Sequence, residues 1–158
     1  MKTMKTLQNE ETIEILNSLV TINNDRIEGY ETALKETEEM ELKSLFGRFI
    51  STSQLNRLEL VREVNMLGGT KATETKISGK FFRVWMDLKA ALTGKDRKAI
   101  LDSCEFGEEK ARDVYKEVLD DEMNQLSEKL VSMINAQKQL LQADRLQVKV
   151  LVDALIRA

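Results

Sequence analysis

Histidine and proline are both missing from this chain of 158 residues, and cysteine occurs only once. Without His, no Ser-His-Asp or Cys-His catalytic set can form. Without Pro, and with only seven Gly, long uninterrupted helices can form over most of the chain. The lone thiol, Cys104, cannot form an internal disulfide, which favours a reducing compartment and a place for this residue in the core.

Charge and hydropathy exclude two classes of partner. The formal net charge is −3, and Lys and Arg never form a run longer than two residues, so the chain lacks a surface that would neutralise phosphates. No segment approaches the roughly 20 apolar residues of a membrane span. The first eight residues also lack the apolar centre of a signal peptide. We therefore expect no nucleic-acid partner, no membrane association and a cytoplasmic location.

Apolar residues recur at alternating steps of three and four along most of the chain, which is the period of one helix face. Gly68-Gly69 fits the end of one helix, and Asp96 fits the N-cap of another. The pattern predicts four long helices and a short one, at about 10–38, 42–67, 80–92, 95–120 and 125–157.

The spacing of these segments predicts the fold class. Two short turns flank one long connection, which carries the short helix and the aromatic residues Phe81, Phe82 and Trp85. This order is typical of an all-α, ferritin-like four-helix bundle with a long crossover between its second and third long helices, here one domain over residues 1–158. A continuous coiled coil is the alternative, but the Gly-containing break and the aromatic crossover favour a closed core.

Polar side chains interrupt each apolar stripe near the middle of its helix. They predict a buried polar layer of Asn23, Asn56, Glu108, Gln137 and Asp144, with Ser53 beside it. A buried carboxylate is costly unless it is hydrogen-bonded, paired with Arg, hydrated or bound to a metal. Four arginines are candidate partners: Arg26, Arg57, Arg62 and Arg145.

A metal site is the alternative interpretation of these carboxylates. Di-iron bundles use Glu-x-x-His pairs, whereas this chain offers Glu59-x-x-Arg62, in which a permanent cation stands in the place of an imidazole. An all-oxygen site for a hard cation, with iron or manganese as cofactor, would draw on Glu28, Glu59, Glu105 and Glu108. We favour a polar layer whose groups satisfy one another, with no cofactor and no catalytic residues. A small-ligand pocket in this layer is a third interpretation.

Three sequence elements resemble a family of uncharacterised bacterial proteins, domain of unknown function 2383. They are the run from Arg83 through Trp85 to Gly94, the run from Cys104 to Glu109 with Tyr115 after it, and the end of the second helix at Leu67-Gly68-Gly69. The resemblance covers roughly residues 10–120. It implies a ferritin-like bundle related to proteins that hold metals.

Members of this family commonly carry His immediately before Arg-x-x-Trp and often in the last helix. This chain has Phe82 at the first of these places and no His anywhere, which counts against an inherited metal function, although Glu105 and Glu108 of the shared Glu-x-x-Gly-Glu element remain. We therefore expect a non-catalytic bundle, a stress-associated or protein-interaction module that forms a homodimer or binds another protein. A metal-binding bundle with an all-carboxylate site is the alternative.

Overall fold

Helices make up every regular element in the part of the chain that the structure covers. The computed structural model describes residues 3–73 and 79–157. The helices are α1 (Met4–Glu36), α2 (Met40–Met66), α3 (Gly79–Thr93), α4 (Arg97–Asp121) and α5 (Glu128–Arg157), with one turn of 3-10 helix (Met123–Gln125) before α5. The all-α prediction is confirmed.

Two helix ends form as their residues predict. The Asp96 carboxylate accepts a hydrogen bond from the Ala99 amide at 3.1 Å and so caps α4. At the end of α2, Gly68 adopts a φ of +82°. The Gly69 amide donates to the Val64 carbonyl at 2.9 Å, and the Gly68 amide donates to the Asn65 carbonyl at 3.0 Å. This pair of bonds is a Schellman motif, in which the left-handed residue is most often glycine.

Two other helix starts differ from the predicted positions. α1 begins at Met4 and not near residue 10, because the Thr3 hydroxyl accepts from the Thr6 amide at 3.1 Å. These first turns are exposed and so carry no apolar period. α5 begins at Glu128 and not near residue 125, because the 3-10 turn comes first and the Ser127 hydroxyl then accepts from the Leu130 amide at 3.2 Å.

The four long helices pack as two antiparallel hairpins, α1 with α2 and α4 with α5, and α3 packs mainly on α4. Cross-helix hydrogen bonds give the directions. Arg26 contacts Glu108 whereas Asn23 contacts Tyr115, so α4 runs antiparallel to α1. Since α2 is also antiparallel to α1, α2 and α4 run in the same direction. The connection between them therefore has to return the chain to the other end of the helices.

The core has two apolar clusters. One gathers the first half of α1, the second half of α2, the second half of α4 and most of the first half of α5. The other gathers the opposite halves of these helices and α3. Polar and charged side chains lie between the two clusters, where the sequence predicts a polar layer. We call this set, together with Tyr115 of the first cluster, whose hydroxyl joins it, the polar belt: Asn23, Arg26, Ser53, Asn56, Glu108, Tyr115, Gln137 and Asp144.

The crossover helix α3 covers one end of the core with its indole. The Trp85 ring meets the Tyr30 ring edge to face, with centroids 5.3 Å apart. The aromatic crossover therefore packs on the long helices at Trp85, whereas the side chains of Phe81 and Phe82 lie outside the described residues. No helix among the described residues combines the length and the apolar character needed to cross a membrane.

Candidate functional site: the polar belt

A guanidinium occupies the centre of the polar belt. Arg26 is 2 % exposed, and its five N–H groups all have acceptors. Nε donates to Glu108 Oε2 at 2.8 Å, and Nη2 donates to the other oxygen of the same carboxylate. The second hydrogen of Nη2 points to Asp144 Oδ2 at 3.2 Å. Nη1 donates to Ser53 Oγ at 2.6 Å and, at 3.5 Å, to the Phe49 carbonyl.

This arrangement satisfies the demanding chemistry of a buried arginine. The bidentate pair with Glu108 matches the fork of the guanidinium to the two carboxylate oxygens. Arg26 Cζ also lies 5.7 Å from the centroids of the Tyr30 and Phe49 rings, whose faces attract a cation. Arg26 thus balances the buried negative charge from within the core.

Burial and ion pairing act in opposite directions on the titration of these groups. Burial raises the pKa of Glu108 above its ordinary value, and the charge and hydrogen bonds of Arg26 only partly offset this effect. Burial likewise raises the pKa of Asp144 against the opposing charge of Arg26. For Arg26, burial disfavours the charged form, but the charge and hydrogen bonding of Glu108, with smaller contributions from Tyr30 and Asp144, together outweigh it and raise its pKa. The guanidinium therefore stays protonated.

Asp144 links the belt to the protein surface. Its second oxygen, Oδ1, lies 3.7 Å from Nε of Arg48, and the Arg48 side chain is 57 % exposed while that of Asp144 is 3 % exposed. Asp144 thus contacts both the buried Arg26 and the solvent-facing Arg48. Screening by water makes the Arg48 contact the weaker of the two.

The other half of the belt is a chain of neutral hydrogen bonds. Asn23 Nδ2 donates to the Tyr115 hydroxyl at 2.9 Å, and this hydroxyl donates to Gln137 Oε1 at 2.7 Å. Gln137 Nε2 then donates to the backbone carbonyl of Asn56 at 3.3 Å and to Glu59 Oε1 at 3.1 Å. All four long helices are joined by this chain, which ends at the exposed side of α2.

The structure buries all five residues of the predicted polar layer. Of the four candidate arginines, Arg26 alone enters the belt. Arg57 Nη1 donates to Asn24 Oδ1 at 3.1 Å. Arg145 Nη2 lies 4.0 Å from Glu105 Oε1, and Arg62 is exposed.

The four glutamates of the metal alternative differ in burial and in their contacts. Glu28 and Glu59 are exposed, Glu105 is half-buried beside Arg145, and Glu108 is engaged by Arg26. Among residues 3–73 and 79–157, no three His, Cys, Asp or Glu side chains group in a way that could hold a metal ion.

Sequence reasoning missed two participants. One is Tyr115, whose hydroxyl joins Asn23 to Gln137. The other is Tyr30, whose ring lies against Arg26. Burial raises its pKa, and the nearby charge of Glu108 raises it further. The available signal was register, because both tyrosines continue a helix face that already carries polar residues.

Two further features bear on other interpretations of the sequence. Cys104 is buried in the core as predicted, and burial raises the pKa of its thiol, which keeps the thiol protonated. A shallow groove of about 430 Å³ lies on the outer face of α5, away from the belt. Its lining is mostly amide and aliphatic: Asn135, Lys138, Gln139, Gln142, Ala143 and Leu146.

Comparison with known proteins gives one match. A family model described as "Domain of unknown function (DUF2383)" matches residues 11–121, which include α1 from its third turn, α2, α3 and α4. The match also contains the Arg26–Glu108 pair, whereas Gln137 and Asp144 lie beyond it. No curated protein matches the chain.

Proposed function

The chain belongs to the family described as Domain of unknown function (DUF2383), and from this premise we propose that it is a non-catalytic, ferritin-like bundle that acts through protein contacts. In this proposal a guanidinium takes the central place that metal ions hold in di-iron bundles. The observation that carries the proposal is the bidentate pair of Arg26 with Glu108 between the two apolar clusters.

The helix directions support the ferritin-like part of the proposal. In a simple up-down bundle, helices joined in sequence alternate in direction. Here α2 and α4 run in the same direction and are joined by the crossover that carries α3. One long crossover between two hairpins is the connectivity of ferritin-like bundles.

The donor set does not fit iron or manganese. A hard cation would need carboxylates free to bind it. Glu108 already accepts two hydrogen bonds from Arg26, and Asp144 accepts a third. A cation placed between these carboxylates would also meet the fixed positive charge of the guanidinium, which does not deprotonate in proteins.

Apolar side chains on the outer faces of the helices support a role in protein contacts. Leu55 and Leu58 are 59 % and 58 % exposed and lie one turn apart on α2. In aqueous solution such residues favour burial against another protein surface. We propose a homodimer through this face. The buried, protonated thiol of Cys104 is compatible with a cytoplasmic protein.

Metal analysis tests the non-catalytic part of the proposal. The protein would be purified without chelators, incubated with Fe²⁺ or Mn²⁺, desalted and measured for metal content and for Fe²⁺ oxidation. We expect neither stoichiometric metal nor oxidation above the rate in buffer. Stoichiometric metal that Glu108→Gln abolishes, and that Glu31→Gln on the exposed side of α1 leaves in place, would overturn the proposal.

Sedimentation equilibrium tests the contact surface. We expect the native chain to form a dimer and the Leu55→Glu/Leu58→Glu variant to be a monomer. The matched control is Gln54→Glu, a charge change at an exposed neighbour on α2. A native chain that stays monomeric at every concentration, or a dimer unaffected by both leucine substitutions, would contradict this surface.

A further inference from the structure

Three atoms of the polar belt have no hydrogen-bond partner among the described residues. They are Asn23 Oδ1 and both polar atoms of the Asn56 side chain, Oδ1 and Nδ2. Both residues are 0 % exposed. An unsatisfied buried donor or acceptor destabilises the folded state, so a native core rarely leaves three of them together.

The orientation of Asn23 is fixed by its other contacts. Its Nδ2 donates both to the Leu19 carbonyl, at 2.9 Å, and to the Tyr115 hydroxyl. Exchanging the nitrogen and oxygen would point Oδ1 at the Leu19 carbonyl, which cannot donate. The unsatisfied atom is therefore the Asn23 oxygen. For Asn56 the choice is immaterial, because both atoms lack a partner.

Helix register brings the two amides to the same level of the belt. α1 and α2 are antiparallel, and Arg26 Nη1 contacts Ser53 Oγ at 2.6 Å. One turn back along α1 from Arg26 is Asn23, and one turn on along α2 from Ser53 is Asn56. Gln137 on α5 contacts both residues. It reaches Asn23 through the Tyr115 hydroxyl and donates directly to the backbone carbonyl of Asn56.

The unsatisfied atoms define the chemistry of what can bind between them. The two carbonyl oxygens need a donor, and the Asn56 amide needs an acceptor. A cation would be repelled by the amide hydrogens, and an anion by the carbonyl oxygens. The matching ligand is small, neutral and able both to donate and to accept.

We infer that Asn23 and Asn56 form an internal water-binding site in the polar belt. Water held at this site donates to the side-chain oxygens of Asn23 and Asn56 and accepts from Asn56 Nδ2. Proteins commonly hold buried waters in this way, each with about three hydrogen bonds. The site extends the neutral half of the belt, and it does not depend on whether the charged half excludes metal.

Water–protein cross-relaxation in NMR spectra of the native, isotope-labelled chain tests the site directly. We expect the side-chain amide protons of Asn56 to show cross-relaxation of the sign given by a slowly exchanging, bound water. Asn56 amide protons that show no such contact with water would overturn the inference, whatever any variant does.

Variants give a second measurement, namely the relaxation dispersion of water deuterons, whose amplitude reports long-lived internal waters. Asn56→Leu replaces both unsatisfied atoms with an apolar side chain of similar size, so we expect the amplitude to fall. Gln54→Leu, on the exposed side of the same helix, leaves it unchanged. An Asn56→Leu variant that folds and keeps the full native amplitude would count against the site.

Discussion

The Trp85 indole lies against the backbone of Gly29, so close that a Cβ atom at residue 29 would sit 2.5 Å from the ring. Real Cβ atoms do not approach another heavy atom this closely, and the blocking atoms belong to a rigid aromatic ring held by Tyr30. Gly29 is therefore the place where the crossover helix α3 docks on α1.

Substitution of Gly29 tests this docking. We expect Gly29→Ala to lower the free energy of unfolding by about 1–3 kcal/mol, the usual cost of overpacking, and to change Trp85 fluorescence. The matched control is Gly47→Ala in α2, where a Cβ meets nothing within 4 Å. That change should raise stability by about 0.5–1 kcal/mol, because Ala is the better helix former. Equal effects of the two substitutions in urea denaturation would contradict the close packing.

The pH dependence of stability follows from the raised pKa values of Glu108 and Asp144. Above the ordinary values of 4.5 for Glu and 3.8 for Asp, the unfolded chain has lost these protons while the folded chain still holds them. The folded state then binds more protons, so stability falls as the pH rises from the ordinary values through the raised ones. Below the ordinary values both states are protonated, and these groups contribute no slope.

Glu108→Gln isolates this effect. Urea denaturation between about pH 4 and pH 8 should give a shallower decline for this variant than for the native chain, because one of the two titrating carboxyls is gone. Glu31→Gln, on the exposed side of α1, should keep the native slope. Parallel curves for the native chain and Glu108→Gln would show that Glu108 does not titrate differently on folding.

The first residues after α2 are held along α1 by asparagine side chains. Asn17 Nδ2 donates to the Thr70 carbonyl at 2.9 Å, and Asn17 Oδ1 accepts from the Ala72 amide at 2.9 Å. Asn24 Nδ2 donates to the Ala72 carbonyl at 3.2 Å. The two asparagines are seven residues apart on one face of α1 and bind the backbone of the connection at Thr70 and Ala72.

We call these hydrogen bonds from Asn17 and Asn24 to Thr70 and Ala72 the clamp, and hydrogen exchange tests it. Asn17→Ala removes both bonds made by Asn17, so we expect the Ala72 amide to exchange faster while the core helices keep their protection. Asn135→Ala, an exposed asparagine on α5, should leave the Ala72 amide unchanged. If Asn17→Ala leaves the exchange of Ala72 at its native rate, the clamp does not hold in solution.

The sequence allowed much of the fold to be predicted because local signals act within one helix. The apolar stripes, the Asp96 cap and the Gly68-Gly69 end depend on residues a few positions apart. The start of α1 at Met4 was harder to predict, because exposed turns capped by Thr3 need no apolar period. The polar interruptions were visible for the same reason as the stripes, since they occupy the same helix face.

The partners within the belt depend on register between helices, which no single helix encodes. Four arginines were candidates, and the sequence could not rank Arg26 above Arg57 or Arg145. The vertical offset of α1 against α4 decides that Arg26 meets Glu108, and the offset of α5 against α4 places Arg145 beside Glu105. The offset of α1 against α4 also brings the Tyr115 hydroxyl into the belt.

The central claim is that Arg26 and Glu108 stabilise one another inside the core, and a double-mutant cycle measures this most directly. Arg26→Met and Glu108→Leu each leave a buried charge without its main partner, so each should cost about 3–5 kcal/mol of unfolding free energy. The double variant removes both charges, so its loss should fall short of the sum of the single losses by about 2 kcal/mol or more. Losses that simply add would contradict the claim.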